Sequence, residues 1–268
     1  MTNEPTVDQS LGLRPPATSV IGECLRIQST VTPNNAAQRL FGVSPLGREA
    51  EPWYVGALGE LEVARRLDTL GPGWYVLHSV PIGTGASDLD HVVIGPAGVF
   101  TINTKHHRGQ NVWLGAKRLL VNGQRTDHLR NAAFEARRTS KLLSVAARML
   151  VDVTPIVAIV GAKGMTVRER PTDVAVLREY ELVRWLQRQP VTLTPEQVRH
   201  VATVAARPAA WKRTPEVEAV DHAAFDRLHA AVGRARRRRI LWVLAAVAAM
   251  PFVFVTASLA AMSALLTR

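Results

Sequence analysis

From Ile240 to Leu266 the chain runs 27 residues without a charge, ILWVLAAVAAMPFVFVTASLAAMSALL. A helix needs about 20 apolar residues to cross a bilayer, and a buried helix of ordinary length keeps a polar face. The stretch therefore predicts one transmembrane helix at 240–266, long enough to tilt. Thr256, Ser258 and Ser263 can bond back to helix carbonyls, and Pro251 can kink such a helix without breaking it. Arg234, Arg236, Arg237, Arg238 and Arg239 precede the span and only Arg268 follows it. The positive-inside bias then predicts a single-pass protein of the cell membrane, its large N-terminal part cytoplasmic.

That placement changes the meaning of the charge. Lys and Arg number 33 against 22 Asp and Glu, for a net +11. Six of the arginines lie from Arg234 onward with no acid among them, leaving 27 basic and 22 acidic residues before them. More than half of the excess is thus a membrane address, and only the milder remainder argues for nucleic acid. A hydrophobic content of 47% with 21% charged residues excludes a disordered chain. The single Cys24 excludes a disulfide framework within the chain and any Cys-rich zinc module. The first residues, MTNEPTVDQS, lack the basic start and apolar run of a secretory signal, so the soluble part is expected not to be secreted.

Four segments are expected. Residues 1–51 are rich in Pro, Asn and Thr and read as a loosely structured arm, adding at most one strand. Residues 52–188 read as a mixed α/β core: helix 55–70, strands 74–81, 89–94, 99–104, 110–114 and 118–121, helix 129–150, strands 155–160 and 173–177, and helix 179–189. Residues 189–239 read as a small helical region with a basic juxtamembrane segment. Thr194-Pro195-Glu196-Gln197 carries a capping residue, a first-turn proline and a reciprocal glutamine there. The span at 240–266 completes the chain.

Chemistry concentrates in the hairpin. If Gly95 pairs with Gly98 around Pro96-Ala97, partners have numbers summing to 193, so Asp90 faces Asn103 and Asp88 faces Lys105. Alternation puts these four on one face and Leu89, His91, Val93, Phe100 and Ile102 on the other. An acid opposite a lysine is also an ordinary cross-strand pair. Glu60 adds weight, because it shares a helical stripe with Val63, Ala64 and Leu67, and a carboxylate on a core-facing stripe needs a partner. Glu62 points the other way, toward Arg66. Glu60, Asp90 and Lys105 together suggest phosphoryl transfer. Carboxylates would hold Mg²⁺, and the lysine would position water or steady developing charge.

Three blocks, Gly56-Ala57-Leu58-Gly59-Glu60, Asp88-Leu89-Asp90-His91-Val92-Val93 and Gly98-Val99-Phe100-Thr101-Ile102-Asn103-Thr104-Lys105, resemble the NERD (nuclease-related) domain of the PD-(D/E)xK class. The resemblance covers roughly 52–188. It implies a restriction-endonuclease-like mixed sheet flanked by helices and Mg²⁺-dependent hydrolysis of phosphodiester bonds in nucleic acid, as in DNA processing. It assigns catalysis to Glu60, Asp90, Asn103 and Lys105, with the metal on Asp90, Asn103 and Glu60. One departure stands out: Asn103 occupies the place of the motif's middle acid, which removes a charge, and Asp88 or Glu135 would compensate where geometry allows. The alternative is a degraded module that binds nucleic acid or a protein at the membrane. Arg130, Arg137, Arg138 and Lys141 fall along one helical stripe and are candidate phosphate contacts, or else a solvated face. His106 and His107 read as loop residues beside the site.

Overall fold

The computed structural model describes residues 11–82, 88–211 and 220–266, without the side chains beyond 251. The chain divides into two units, one of residues up to 22 with 52–220, the other of 23–51 with 221 onward. Helix α1 (Thr18–Gln28) and the short α2 (Ala36–Leu40) occupy the segment expected to be a loose arm. No strand forms among its described residues. Ala17, Ile21 and Cys24, all buried, recur at helical rather than strand spacing. Asn35 and Gln38 form a reciprocal capping box that starts α2.

The larger unit is α/β. Helix α3 (Glu51–Leu67) leads to strands β1 (Tyr75–Pro81), β2 (Asp88–Gly95) and β3 (Gly98–His106), then β4 (Asn111–Gly115), β5 (Arg118–Val121) and β6 (Gln124–Thr126). Helix α4 (His128–Ala147) follows, then β7 (Val153–Val160), β8 (Gly164–Val167), β9 (Ala175–Arg178), α5 (Leu182–Arg188) and α6 (Pro195–Ala205). The main sheet has the order β1-β2-β3-β7-β9, antiparallel through β3 and parallel beyond it. A parallel neighbour requires a long crossover, and β4 to β6 together with α4 supply it between β3 and β7. A second sheet, β6-β5-β4-β8, was not anticipated; β6 and β8 have only three and four residues and no clear alternation.

Both faces of the main sheet are covered. Val63 and Leu67 of α3 and Leu182 and Leu186 of α5 pack on Val93, Phe100, Ile102 and Ile156. Fully burying such side chains contributes about 1.5–3 kcal/mol each. On the opposite face Leu143 and Ala147 of α4, Val198 and Val201 of α6 and the buried Trp211 pack on Leu77, Val80, Val92, Ile94 and Val99. A third cluster joins Val157 and Ile159 to Val112, Leu114 and Leu119 of the second sheet.

The expected hairpin register holds for five pairs, from Gly95↔Gly98 to His91↔Ile102, but the ladder stops before the expected pairings of Asp90 with Asn103 and Asp88 with Lys105. Gly95 is required there, because a Cβ would come within 2.2 Å of the Trp74 ring. The expected alternation does not hold at the start of β2, where Asp88 and Leu89 both depart from it. Leu89 packs with Leu77, Val80 and Val92 instead of with Val93. In β1, opposite this end of β2, Ser79 adopts φ 48° and is absent from the β1–β2 pairing, which resumes in the same register at Val80↔Leu89.

In the second unit, α7 (His222–Leu266) is continuous and contains Pro251. The Trp242 indole N–H donates to the Leu40 carbonyl at 2.9 Å, and Phe41 lies 5.2 Å from the indole ring. Among the described residues no helix is long and apolar enough to cross a membrane. The span expected at 240–266 is therefore not supported by them, and most of its side chains lie outside the described residues.

Candidate functional site

Glu60 reaches the sheet because α3 comes very close to β3. At Gly59 a Cβ would sit 3.1 Å from the His106 Cβ and 3.3 Å from the Thr104 Cγ2, so a side chain there would require these neighbours to give by a few tenths of an ångström. The next residue, Glu60, is only 8% exposed, on the stripe with Val63, Ala64 and Leu67. Glu62 points outward to Arg65 and Arg66, at 2.7 and 2.8 Å.

The β2–β3 ladder ends at His91↔Ile102. One residue beyond it, the Asp90 carboxylate accepts the Thr104 backbone N–H at 2.5 Å. Asp90 thereby lies against the Asn103–Lys105 segment, held by a side-chain bond where the ladder has stopped. Asn103 is 8% exposed, and its amide nitrogen donates to both carboxylate oxygens of Glu135 in α4, at 3.0 and 2.8 Å. Its carbonyl oxygen is buried and meets no donor among the described residues. Lys105 is half-buried and makes no ion pair among the described residues.

These groups act on one another. Burial, then the Asp90 charge, pushes the Glu60 carboxyl well above the usual carboxylate range, against the pull of Lys105. Burial also raises Asp90, opposed by Lys105 and by the Thr104 N–H. Burial raises Glu135 too, with the Asn103 bond opposing and the Asp90 charge adding. Three carboxylates with one nearby ammonium form a site that favours added positive charge.

One expected member lies elsewhere. The Asp88 carboxylate does not face Lys105; Arg14 holds it at 3.1 Å and the Ser19 hydroxyl donates to it. The Pro-rich arm supplies that arginine, so Asp88 anchors the arm and acts on Glu60 and Asp90 only through its charge. Glu135, open as a compensating acid in the sequence, is brought in by α4.

Histidines surround the site. His106 donates from Nδ1 to the Val55 carbonyl at 2.9 Å, tying β3 to α3. His107 stacks on His128 with ring centres 5.4 Å apart, and both Nε2 atoms are buried without a partner. Burial, then Lys105 and His107, lowers His128 to about 4. His78 and His91, adjacent across β1 and β2, share a hydrogen between Nδ1 atoms 2.8 Å apart, and burial keeps both neutral at physiological pH. Of the basic stripe, Arg130 pairs with Asp127 at 3.1 Å, while Arg137, Arg138 and Lys141 are exposed on the side of α4 away from Ala132, Ala136 and Thr139.

Residues 55–160 match the NERD family, the nuclease-related domain. The match runs from α3 to the end of β7 and includes Glu60, Asp90, Asn103, Lys105 and Glu135. An uncharacterized protein of Bacillus anthracis is 42% identical to this chain over 74 residues, which is 26% of this chain and 35% of that protein. This chain thus spans about a third of that relative's length. No solved structure matches the chain.

The donors present fit a hard divalent cation. Among the described residues no three His, Cys, Asp or Glu side chains group to cage a metal, so a closed zinc-type site is not formed there. Mg²⁺ asks for less, keeping several waters and taking one or two carboxylates beside substrate phosphates. Asp90 offers a carboxylate, Asn103 offers a buried carbonyl oxygen that lacks a donor, and Glu60 adds negative charge.

Proposed function

We propose that residues 52–188 form a Mg²⁺-dependent nuclease that hydrolyses phosphodiester bonds in nucleic acid. The observation that carries this reading is the meeting of Asp90, Asn103, Glu60 and Lys105 where the hairpin ladder ends, inside the nuclease-related match, with the Asn103 carbonyl and Lys105 unpartnered among the described residues. Asp90 and Asn103 would hold the metal, with Glu60 contributing charge. Bound there, Mg²⁺ supplies Lewis-acid polarisation of a phosphoryl oxygen. Lys105, which acts on Asp90 through its charge and has no salt-bridge partner among the described residues, would orient a water and steady charge on the phosphate. The Thr104 N–H fixes Asp90 so that the carboxylate need not reorganise. Arg137, Arg138 and Lys141, further along α4, would meet backbone phosphates.

Asn103 favours a second reading, a module that binds nucleic acid without cutting it. Full-length protein assayed against single- and double-stranded DNA and RNA separates the two. The nuclease cuts at least one of these with Mg²⁺ and loses cutting in Asp90→Ala and Lys105→Ala; the binding module retains substrates intact, with an affinity that falls steeply with salt.

Attachment to the cell membrane through 240–266, with the nuclease unit cytoplasmic, belongs to the same proposal. Its support is the uncharged sequence, the five arginines before it and the unbroken helix through Leu266.

A further inference from the structure

We infer that Glu135 takes over the charge that Asn103 lacks, and that the two side chains work as one divided ligand. The inference rests on the Mg²⁺-site reading above. In this arrangement Asn103 supplies the oxygen that meets the cation, and Glu135 behind it supplies the negative charge and fixes the amide.

The geometry sets the orientation. Both Glu135 oxygens lie within hydrogen-bond distance of the Asn103 amide nitrogen, at 3.0 and 2.8 Å. The reversed amide would set its carbonyl oxygen against two carboxylate oxygens, so only one orientation is acceptable. That orientation turns the carbonyl oxygen away from Glu135 into a buried position where no protein donor meets it. A buried acceptor left unpaired is costly, and a cation there would satisfy it. Donation to a carboxylate also polarises the amide and makes its oxygen a better ligand, as outer carboxylates do for metal-bound histidine.

The position of Glu135 agrees with this role. It lies one turn beyond Asn131, next to the buried Ala136, and is half-buried, whereas Phe134, Arg137 and Arg138 are exposed. A surface glutamate on this basic helix would be expected to pair with Arg138, three residues on; that pairing is not present among the described salt bridges. The carboxylate instead crosses to β3, 32 residues away in sequence. Glu135 is thus a positioning residue acting through Asn103.

The test is Mn²⁺ and Mg²⁺ binding to purified full-length protein by titration calorimetry, with folding checked by circular dichroism. Glu135→Gln keeps a side chain that can bond Asn103 but removes the charge, and should weaken metal binding by about ten- to a hundredfold. The exchange Asn103→Glu with Glu135→Gln returns the carboxylate to β3 and should recover most of the affinity. Asn103→Glu alone sets two carboxylates in contact, so without metal it should melt below both the wild type and the exchanged protein. Equal affinity in wild type and Glu135→Gln, or no recovery in the exchange, overturns the inference while leaving the metal site in place. A wild type that binds neither ion overturns the metal-site reading and this inference with it. Should Glu135→Gln fail to fold, the order of melting temperatures among the other three proteins decides the matter.

Discussion

Replacing Glu60 by glutamine should make the metal-free protein more stable while disabling the site. Glu60 is 8% exposed, and its carboxyl is raised by burial and by the charges of Asp90 and Asp88, with Lys105 opposing. Below the unfolded carboxylate value, about 4.3, both states hold the proton and the residue contributes no penalty. As pH rises through and above that value the unfolded chain gives up the proton before the native one does, so stability falls. Each unit of raised pKa removed is worth about 1.4 kcal/mol. The new amide needs partners of its own, and an unpaired buried polar group costs about 1–3 kcal/mol. The balance should shift toward glutamine as pH rises above the unfolded carboxylate range, read as a widening gap in melting temperature. Scanning calorimetry in EDTA at pH 5, 6, 7 and 8 should show the gap opening with pH, and Mg²⁺ should raise the wild type toward the variant. A gap independent of pH, or a variant that melts lower at pH 8, refutes the electrostatic account of the site.

Four further outcomes follow from the same contacts. Gly59→Ala should destabilise by about 1–3 kcal/mol, read in denaturant, because its Cβ would stand 3.1 Å from the His106 Cβ. Arg14→Ala should cost about 1.5–3 kcal/mol by releasing Asp88, yet leave Mg²⁺ affinity within twofold or so, since Asp88 anchors the arm. Exchanging both Arg137 and Lys141 for glutamate should reduce nucleic-acid affinity measured by anisotropy and lower the salt slope by about 2. Full-length protein should remain with membranes after an alkaline carbonate wash, and a protein ending at Arg239 should not; release of the full-length chain would remove the anchor from the proposal.

What could be read from the sequence was governed by local pattern. Glu60 was visible because its helical stripe also carries Val63, Ala64 and Leu67, and the hairpin register because Gly95-Pro96-Ala97-Gly98 fixes the turn. The partners of those residues were less visible. Asp88 finds Arg14 across 74 residues, from a Pro-rich arm whose composition hides the helix that follows it. Glu135 sits at the edge between the buried and basic faces of α4, so only the docking of that helix on β3 shows which way it turns. Leu89 departs from the expected alternation opposite a stretch of β1 in which Ser79 takes a positive φ, a conformation its residue type gives no warning of.

The central claim is that the Asp90–Asn103–Lys105 cluster cuts nucleic acid with a divalent ion. The most direct measurement follows a quenched fluorescent oligonucleotide, in single- and double-stranded DNA and RNA forms, with full-length protein during a Mg²⁺ titration. The account predicts cleavage of at least one form that rises and saturates with Mg²⁺, stops with EDTA and is absent in Lys105→Ala protein of unchanged melting temperature. Intact substrates at every Mg²⁺ concentration, or cleavage that persists in Lys105→Ala, would contradict it.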